Sequence, residues 1–84
     1  MIRVTLEALA SEQFLRLPTR IKDRVRLILE RLHEWPSVSG VKKMRGSLAG
    51  HFRIRTGDYR ILFRVEKQEI VVERIGHRDR FYED

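Results

Sequence analysis

Residues His51–Glu66 read HFRIRTGDYRILFRVE, and the alternation in this stretch decides the fold. Side chains on an extended strand point to opposite faces in turn, so Phe52 and Ile54 face one way while His51, Arg53 and Arg55 face the other. Thr56-Gly57-Asp58 reads as a turn, after which Tyr59, Ile61, Phe63 and Val65 share one face and Arg60, Leu62, Arg64 and Glu66 the other. The stretch predicts a β-hairpin with one apolar face and one face dense in arginine. Lys67-Gln68 permits a second turn before EIVVERIGHR, which makes a three-stranded meander.

Toward the N-terminus, IRVTL at residues 2–6 alternates as a short strand. A helix is expected over Glu7–Leu17, with Ala10, Phe14 and Leu17 on one stripe and Pro18 ending it. Between Thr19 and Glu34 the apolar residues Ile21, Val25, Ile28, Leu29 and Leu32 recur as one face of a second helix. The other face carries Arg20, Lys22, Arg24, Arg26 and Arg31, the usual wet side of an amphipathic helix. Trp35-Pro36 stops it, and PSVSG is a loop. The order β-α-α-β-β-β predicts an α+β fold in which a helical hairpin packs on one face of a mostly antiparallel four-stranded sheet. At 84 residues, 1–84 form a single domain with room for one core.

Net charge is +6, and eleven of the eighteen Lys and Arg residues lie from Lys42 onward. Such a bias favours polyanionic partners. There is no cysteine, which removes disulfides and thiolate metal sites, and His33, His51 and His77 have no zinc spacing. No clustered carboxylates suggest a metal, and no cofactor is implied. No apolar run approaches the ~18 residues of a membrane span and no signal peptide is evident, so a cytoplasmic location away from the membrane is expected.

With one sheet face under the helices, His51, Arg53, Arg55, Arg60 and Arg64 gather on the other. The plain alternative is the solvated face of a basic protein. Yet like charges directly opposed across strands cost some tenths of a kcal/mol per pair, and a face wanted only for solubility would interleave glutamate. Guanidinium forks match phosphate oxygens two at a time, so the functional reading is a phosphate platform. GHRDRFY, at residues 76–82, adds His77, Arg78, Arg80 and Tyr82: a titratable group, charge stabilisers and a ring able to stack on a base.

The string KKMRGSLAGHFRIRTGDYRILFRVE, together with IVVERIGHRDRFY, resembles the RelE/ParE superfamily of toxins from type II toxin–antitoxin systems, and the RelE branch in particular. The likeness rests on K-x-R-G (Lys43 and Arg45), on RIRTGDYRILF, and on GHR followed by Tyr82, and it spans essentially the whole chain. It implies a ribosome-dependent endoribonuclease that cuts mRNA and is held inactive by an antitoxin. The catalytic positions it implies are Arg53, Arg55, Arg60, Arg78 and Tyr82. His51, Lys43, Arg45 and Arg80 are the basic residues expected to hold substrate beside them. The first-strand pair is lysine in the best-known member, and arginine cannot give up its proton to act as a base. His77 and His51 are therefore the candidates for removing the 2′-OH proton, while the arginines neutralise the anionic transition state.

The same fold also serves the ParE branch, which inhibits DNA gyrase and cuts no RNA. An RNA-binding module without chemistry and a decayed toxin retained as a repressor complex are further alternatives. The basic face predicts a small, acidic, partly disordered antitoxin that folds as it binds, with higher oligomers only through it.

Overall fold

The computed structural model describes residues 2–79. In chain order its elements are β1 (Arg3–Leu6), α1 (Ala8–Leu15), α2 (Thr19–Arg31), β2 (Lys42–Lys43), β3 (His51–Thr56), β4 (Tyr59–Glu66) and β5 (Glu69–His77), with 3-10 turns at Leu32–Glu34 and Gly46–Leu48. The five strands form one sheet in the order β1-β5-β4-β3-β2. All pairs are antiparallel except β1 with β5, which run parallel. The expected four strands are thus joined by a fifth, the two residues of β2, which pair with β3 at the sheet edge. A pair of residues is too short to show a period, which is why the alternation did not reveal it.

The helices form where their apolar stripes predict, on one side of the sheet. Val25 and Leu32 are fully buried and Ile28 nearly so, against Ile61, Phe63, Ile70 and Val72, which have no exposed surface. Each such burial stabilises the fold by about 1.5–3 kcal/mol relative to an exposed side chain. α2 ends at Arg31 and the last turn tightens to the 3-10 form over Leu32–Glu34, which carries Leu32 into the core. Trp35 then packs edge-on against Phe52 and Phe63, with ring centroids 5.0 and 5.5 Å away.

The β3–β4 turn needs its glycine. Gly57 has φ +57, and a glycine at the first central position is what a two-residue hairpin of the type II′ kind requires.

One irregularity shapes the face away from the helices. Leu62 pairs with Arg74 but Phe63 pairs with Val72, so Glu73 is an extra residue in β5, a β-bulge. The bulge shifts the alternation by one: Ile70 and Val72 face the core before it and Ile75 after it. The freed Ile75 N–H donates to the Gln13 side-chain oxygen of α1 at 2.7 Å, so the interruption leaves no orphan there. Consequently Glu73 and Arg74 both stand on the side away from the helices.

Candidate nucleic-acid interface

Residues directly opposite across paired strands share a face. Ile54 pairs with Ile61 and Phe52 with Phe63, which fixes the helix side. Arg53 pairs with Leu62, Arg55 with Arg60, and His51 with Arg64, which places all four basic side chains of the hairpin and His51 on the far side together. Lys42 of β2 lies opposite Arg53 and joins them. Leu62 is 5% exposed although no helix lies over this face. It sits in register between Arg53 and Arg74, whose long aliphatic stems are suited to covering it while their heads stay wet.

The basic groups on this face fall into two kinds. Arg64 is tied on three sides: its Nε donates to Glu66 at 2.7 Å, and one terminal nitrogen donates to Glu7 at 3.1 Å and to Glu73. Hydrogen bonds to Glu66, Glu73 and Glu7 raise its pKa above an already high ordinary value. Arg53 and Arg55 form no ion pair among the described residues, and Arg60 reaches only the Gly57 carbonyl at 3.5 Å. These three remain available to an anion.

Glu73 divides the two kinds. Its Oε2 accepts from Arg64 and, at 2.9 Å, from Nε2 of His51. Partial burial pushes the Glu73 pKa up, but the hydrogen bonds and charges of Arg64 and His51 together outweigh it and hold the carboxyl below its ordinary range. Nδ1 of His51 and Nε of Arg53 are buried and have no hydrogen-bond partner among the described residues.

The remaining candidates lie elsewhere. His77 pairs with Tyr59, with ring centroids 5.3 Å apart, so it shares the helix side of the sheet with Ile61 and Ile75 and not the arginine side. The alternation explains this: His77 is two residues from Ile75. Its Nδ1 accepts from the Asp79 amide at 3.2 Å. Lys43 pairs with Phe52 and likewise faces the helix side, one residue out of step with Lys42. Arg45 is exposed in the loop before the second 3-10 turn. Arg78 donates its backbone N–H to Asp58 at 2.7 Å, which pins it at the turn end of the sheet near Arg55 and Arg60, and its Nε lies 3.8 Å from Asp58 and from Asp79. Arg80 and Tyr82 lie outside the described residues.

Two residues escaped the sequence reading. Lys42 carries no signal of its own, since its place depends on pairing with Arg53. Glu73 does: within IVVERIG the apolar positions jump from Ile70 and Val72 to Ile75, a phase slip that marks a bulge.

The family model of the ParE toxin of type II toxin–antitoxin systems (parDE) matches residues 4–82. The chain belongs to the RelE/ParE superfamily of toxins. Toxin RelE3 from Methanocaldococcus jannaschii is 32% identical to this toxin over 71 residues, covering 80% of each chain. Among solved structures, the RelBE2 toxin–antitoxin complex from Mycobacterium tuberculosis superposes with a TM-score of 0.79 at 29% identity, over 92% of this toxin and 98% of the matched chain. The RelB–RelE antitoxin–toxin complex from Methanococcus jannaschii gives 0.75 at 27% identity, over 89% and 91%. The toxin is thus RelE-like, with two helices packed on a mixed five-stranded sheet.

Proposed function

We propose that this toxin is a ribosome-dependent mRNA endoribonuclease acting in the cytoplasm, and that Arg53, Arg55 and Arg60 grip the phosphate it cuts. The observation that carries this reading is that these guanidinium groups share one face and have no carboxylate partner among the described residues. Three fixed cations are costly to hold together without an anion between them.

In this reading the ribose 2′-oxygen attacks the adjacent phosphorus as its proton leaves. The bond from phosphorus to the 5′-oxygen then breaks, giving a 2′,3′-cyclic phosphate and a 5′-hydroxyl. Negative charge builds on the non-bridging oxygens in the crowded transition state, where the arginines stabilise it more than in the ground state. Arg78 joins them from the turn end of the sheet, and Tyr82 stacks on the base beside the cut. Arg45 and Arg80 hold flanking phosphates, with Lys42 taking the place on the arginine face that Lys43 does not have. Of the two histidines first considered as base, His51 is the one on the arginine face, whereas His77 is on the other.

A small acidic antitoxin, partly disordered when free, would cover the same face and neutralise the toxin. The relatives solved as toxin–antitoxin complexes support such a partner, and higher assemblies would form only through it.

The direct test is to incubate the purified toxin with programmed ribosomes and map the mRNA ends. Cyclic phosphate termini are the expected result, and intact message would overturn the reading. A second reading is favoured by one finding, that the matching family model is described as a ParE toxin: in it the basic face binds and blocks DNA gyrase. Loss of supercoiling with translation intact would select it.

A further inference from the structure

The bulge at Glu73 interrupts the longest strand of the sheet, and its carboxylate stands among the cations of the arginine face. Arg64 already has Glu7 and Glu66, so charge balance at Arg64 does not call for a third carboxylate. Among the described residues, Glu73 is the carboxylate that holds His51.

We infer that Glu73 is a positioning residue for RNA cleavage: by accepting the Nε2–H of His51 it leaves the His51 Nδ1 lone pair beside the Arg53 Nε–H, an acceptor–donor pair matched to the ribose 2′-hydroxyl at the cut. This rests on the nuclease reading above.

A carboxylate accepts and does not donate, so a bond from Nε2 to Glu73 Oε2 at 2.9 Å puts the proton on Nε2. When the ring is neutral, it offers Nδ1 only as an acceptor. Nδ1 is buried without a partner, as is the Nε–H of Arg53, which can only donate. Buried polar atoms are nearly always paired, so an acceptor and a donor left over on neighbouring same-face positions of one strand call for a ligand that serves both. His51 and Arg53 are two residues apart on β3, a backbone rise of about 6.6 Å. One oxygen hydrogen-bonded at about 2.9 Å on each side spans up to about 5.8 Å, so it serves both atoms once the two side chains lean slightly toward each other.

The chemistry of that oxygen is restricted. Phosphate and carbonyl oxygens only accept, and an ammonium only donates; a hydroxyl does both. RNA carries such a hydroxyl next to every phosphate and DNA does not. Because neighbouring side chains cover both nitrogens in the free toxin, the ribose displaces that cover as the flanking phosphate settles on Arg55 and Arg60.

The step balances. The 2′-O–H bond breaks as the bond from the 2′-oxygen to phosphorus forms, and the proton passes to Nδ1. His51 becomes an imidazolium, whose charge Glu73 stabilises, with Arg64 and its other partners Glu7 and Glu66 as further charges around that carboxylate. The 5′-oxygen leaves and takes its proton from water.

Two measurements test this. In wild-type toxin, nitrogen-15 NMR of the imidazoles reads the His51 tautomer directly. A proton on Nε2 is expected, and a proton on Nδ1 overturns the assignment without reference to activity. Single-turnover cleavage on programmed ribosomes is then compared for Glu73→Gln, His51→Ala and the double variant. His51→Ala is expected to slow cleavage about 100-fold or more, as loss of a general base does. Glu73→Gln should slow it about 10- to 100-fold, because the glutamine amide can donate to Nε2 and drive the ring to the other tautomer. The double variant should be no slower than His51→Ala alone, since Glu73 acts only through His51. Glu73→Gln within threefold of wild type, or a double variant slowed by the product of the single effects, would mark Glu73 as merely structural. A wild-type toxin that cuts no message overturns the nuclease reading itself, a separate outcome from either of these.

Discussion

Arg60→Ala separates the two kinds of arginine on the same sheet face. Arg60 lies opposite Arg55, and among the described residues its guanidinium meets only the Gly57 carbonyl at 3.5 Å, the outer limit of a hydrogen bond. Removing it relieves a like-charge pair worth about 0.2–1 kcal/mol and loses a contact of similar or smaller value, so stability should move by less than about 0.5 kcal/mol. For a domain of this size that is a melting shift of less than about 4 °C. Cleavage should respond very differently. Losing one preorganised donor to a developing oxyanion costs about 2.7–4 kcal/mol, a slowing of roughly 100- to 1000-fold. Arg64→Ala should do the reverse, because it removes the shared partner of Glu7, Glu66 and Glu73 and leaves Glu73 with its bond from His51. It should lower the melting temperature more than Arg60→Ala does and slow cleavage less. Circular dichroism melts and single-turnover cleavage of ribosome-bound message, run on the same preparations, make the comparison. Cleavage within threefold of wild type for Arg60→Ala and also for Arg78→Ala would refute the assignment of this face. A melting loss above about 5 °C for Arg60→Ala would refute the claim that Arg60 is free of structural duty.

Three further outcomes are expected. Ile61→Val, a methylene removed from a site with no exposed surface, should cost about 0.5–1.5 kcal/mol and lower the melting point by about 2–12 °C; an unchanged melt would mean the core repacks freely. Glu73 is held below the ordinary carboxyl value of 4.5, so its contribution to stability is complete above that pH and is lost as the pH falls through the lower folded value. Urea midpoints of wild type and Glu73→Gln should therefore differ at neutral pH and converge in acid, whereas a gap independent of pH would contradict the pairing. Binding of single-stranded RNA by Lys42, Arg53, Arg55 and Arg60 should give a log–log salt slope near −3, reduced by about 0.7 for each residue changed to alanine; a slope near zero would show that the face makes no phosphate contacts.

The hairpin, the helix stripe and the side on which five basic or imidazole groups gather were all legible in the sequence, because period-two and period-3.6 patterns report the direction of a side chain directly. Three features were not, and each depends on pairing between strands. Lys42 and Lys43 are chemically alike, and only the register with Arg53 and Phe52 tells which one faces the cations. His77 sits in a motif rich in arginine, so proximity in sequence suggested a shared pocket. Counting from Ile75 would have placed it on the helix side. Glu73 owes its place to an interruption of the alternation in β5, between Leu62 and Phe63 of the facing strand. A single extra residue reverses the faces of everything beyond it, so Arg74 and Gly76 fall on the arginine side and His77 does not.

That reversal also explains where on the face chemistry would occur. The row through His51 and Arg64 is bordered by Glu7, Glu66 and Glu73, so a phosphate approaching Arg64 would have to displace carboxylates already in contact with it. In the row through Arg55 and Arg60, next to Gly57, neither arginine is in an ion pair among the described residues, and the carboxylates of Asp58 and Asp79 stand against Arg78 instead. An anion therefore settles toward the turn end, and its neighbouring ribose extends back toward the carboxylates. The boundary falls at His51 and Arg53, where a proton acceptor meets a fixed positive charge. A face that was basic throughout would bind RNA more tightly but would offer no carboxylate to hold an imidazole in one tautomer. A face balanced throughout would not bind RNA at all. The bulge produces the intermediate arrangement by placing one acidic side chain beside the histidine, while the three arginines beyond it have no carboxylate partner among the described residues.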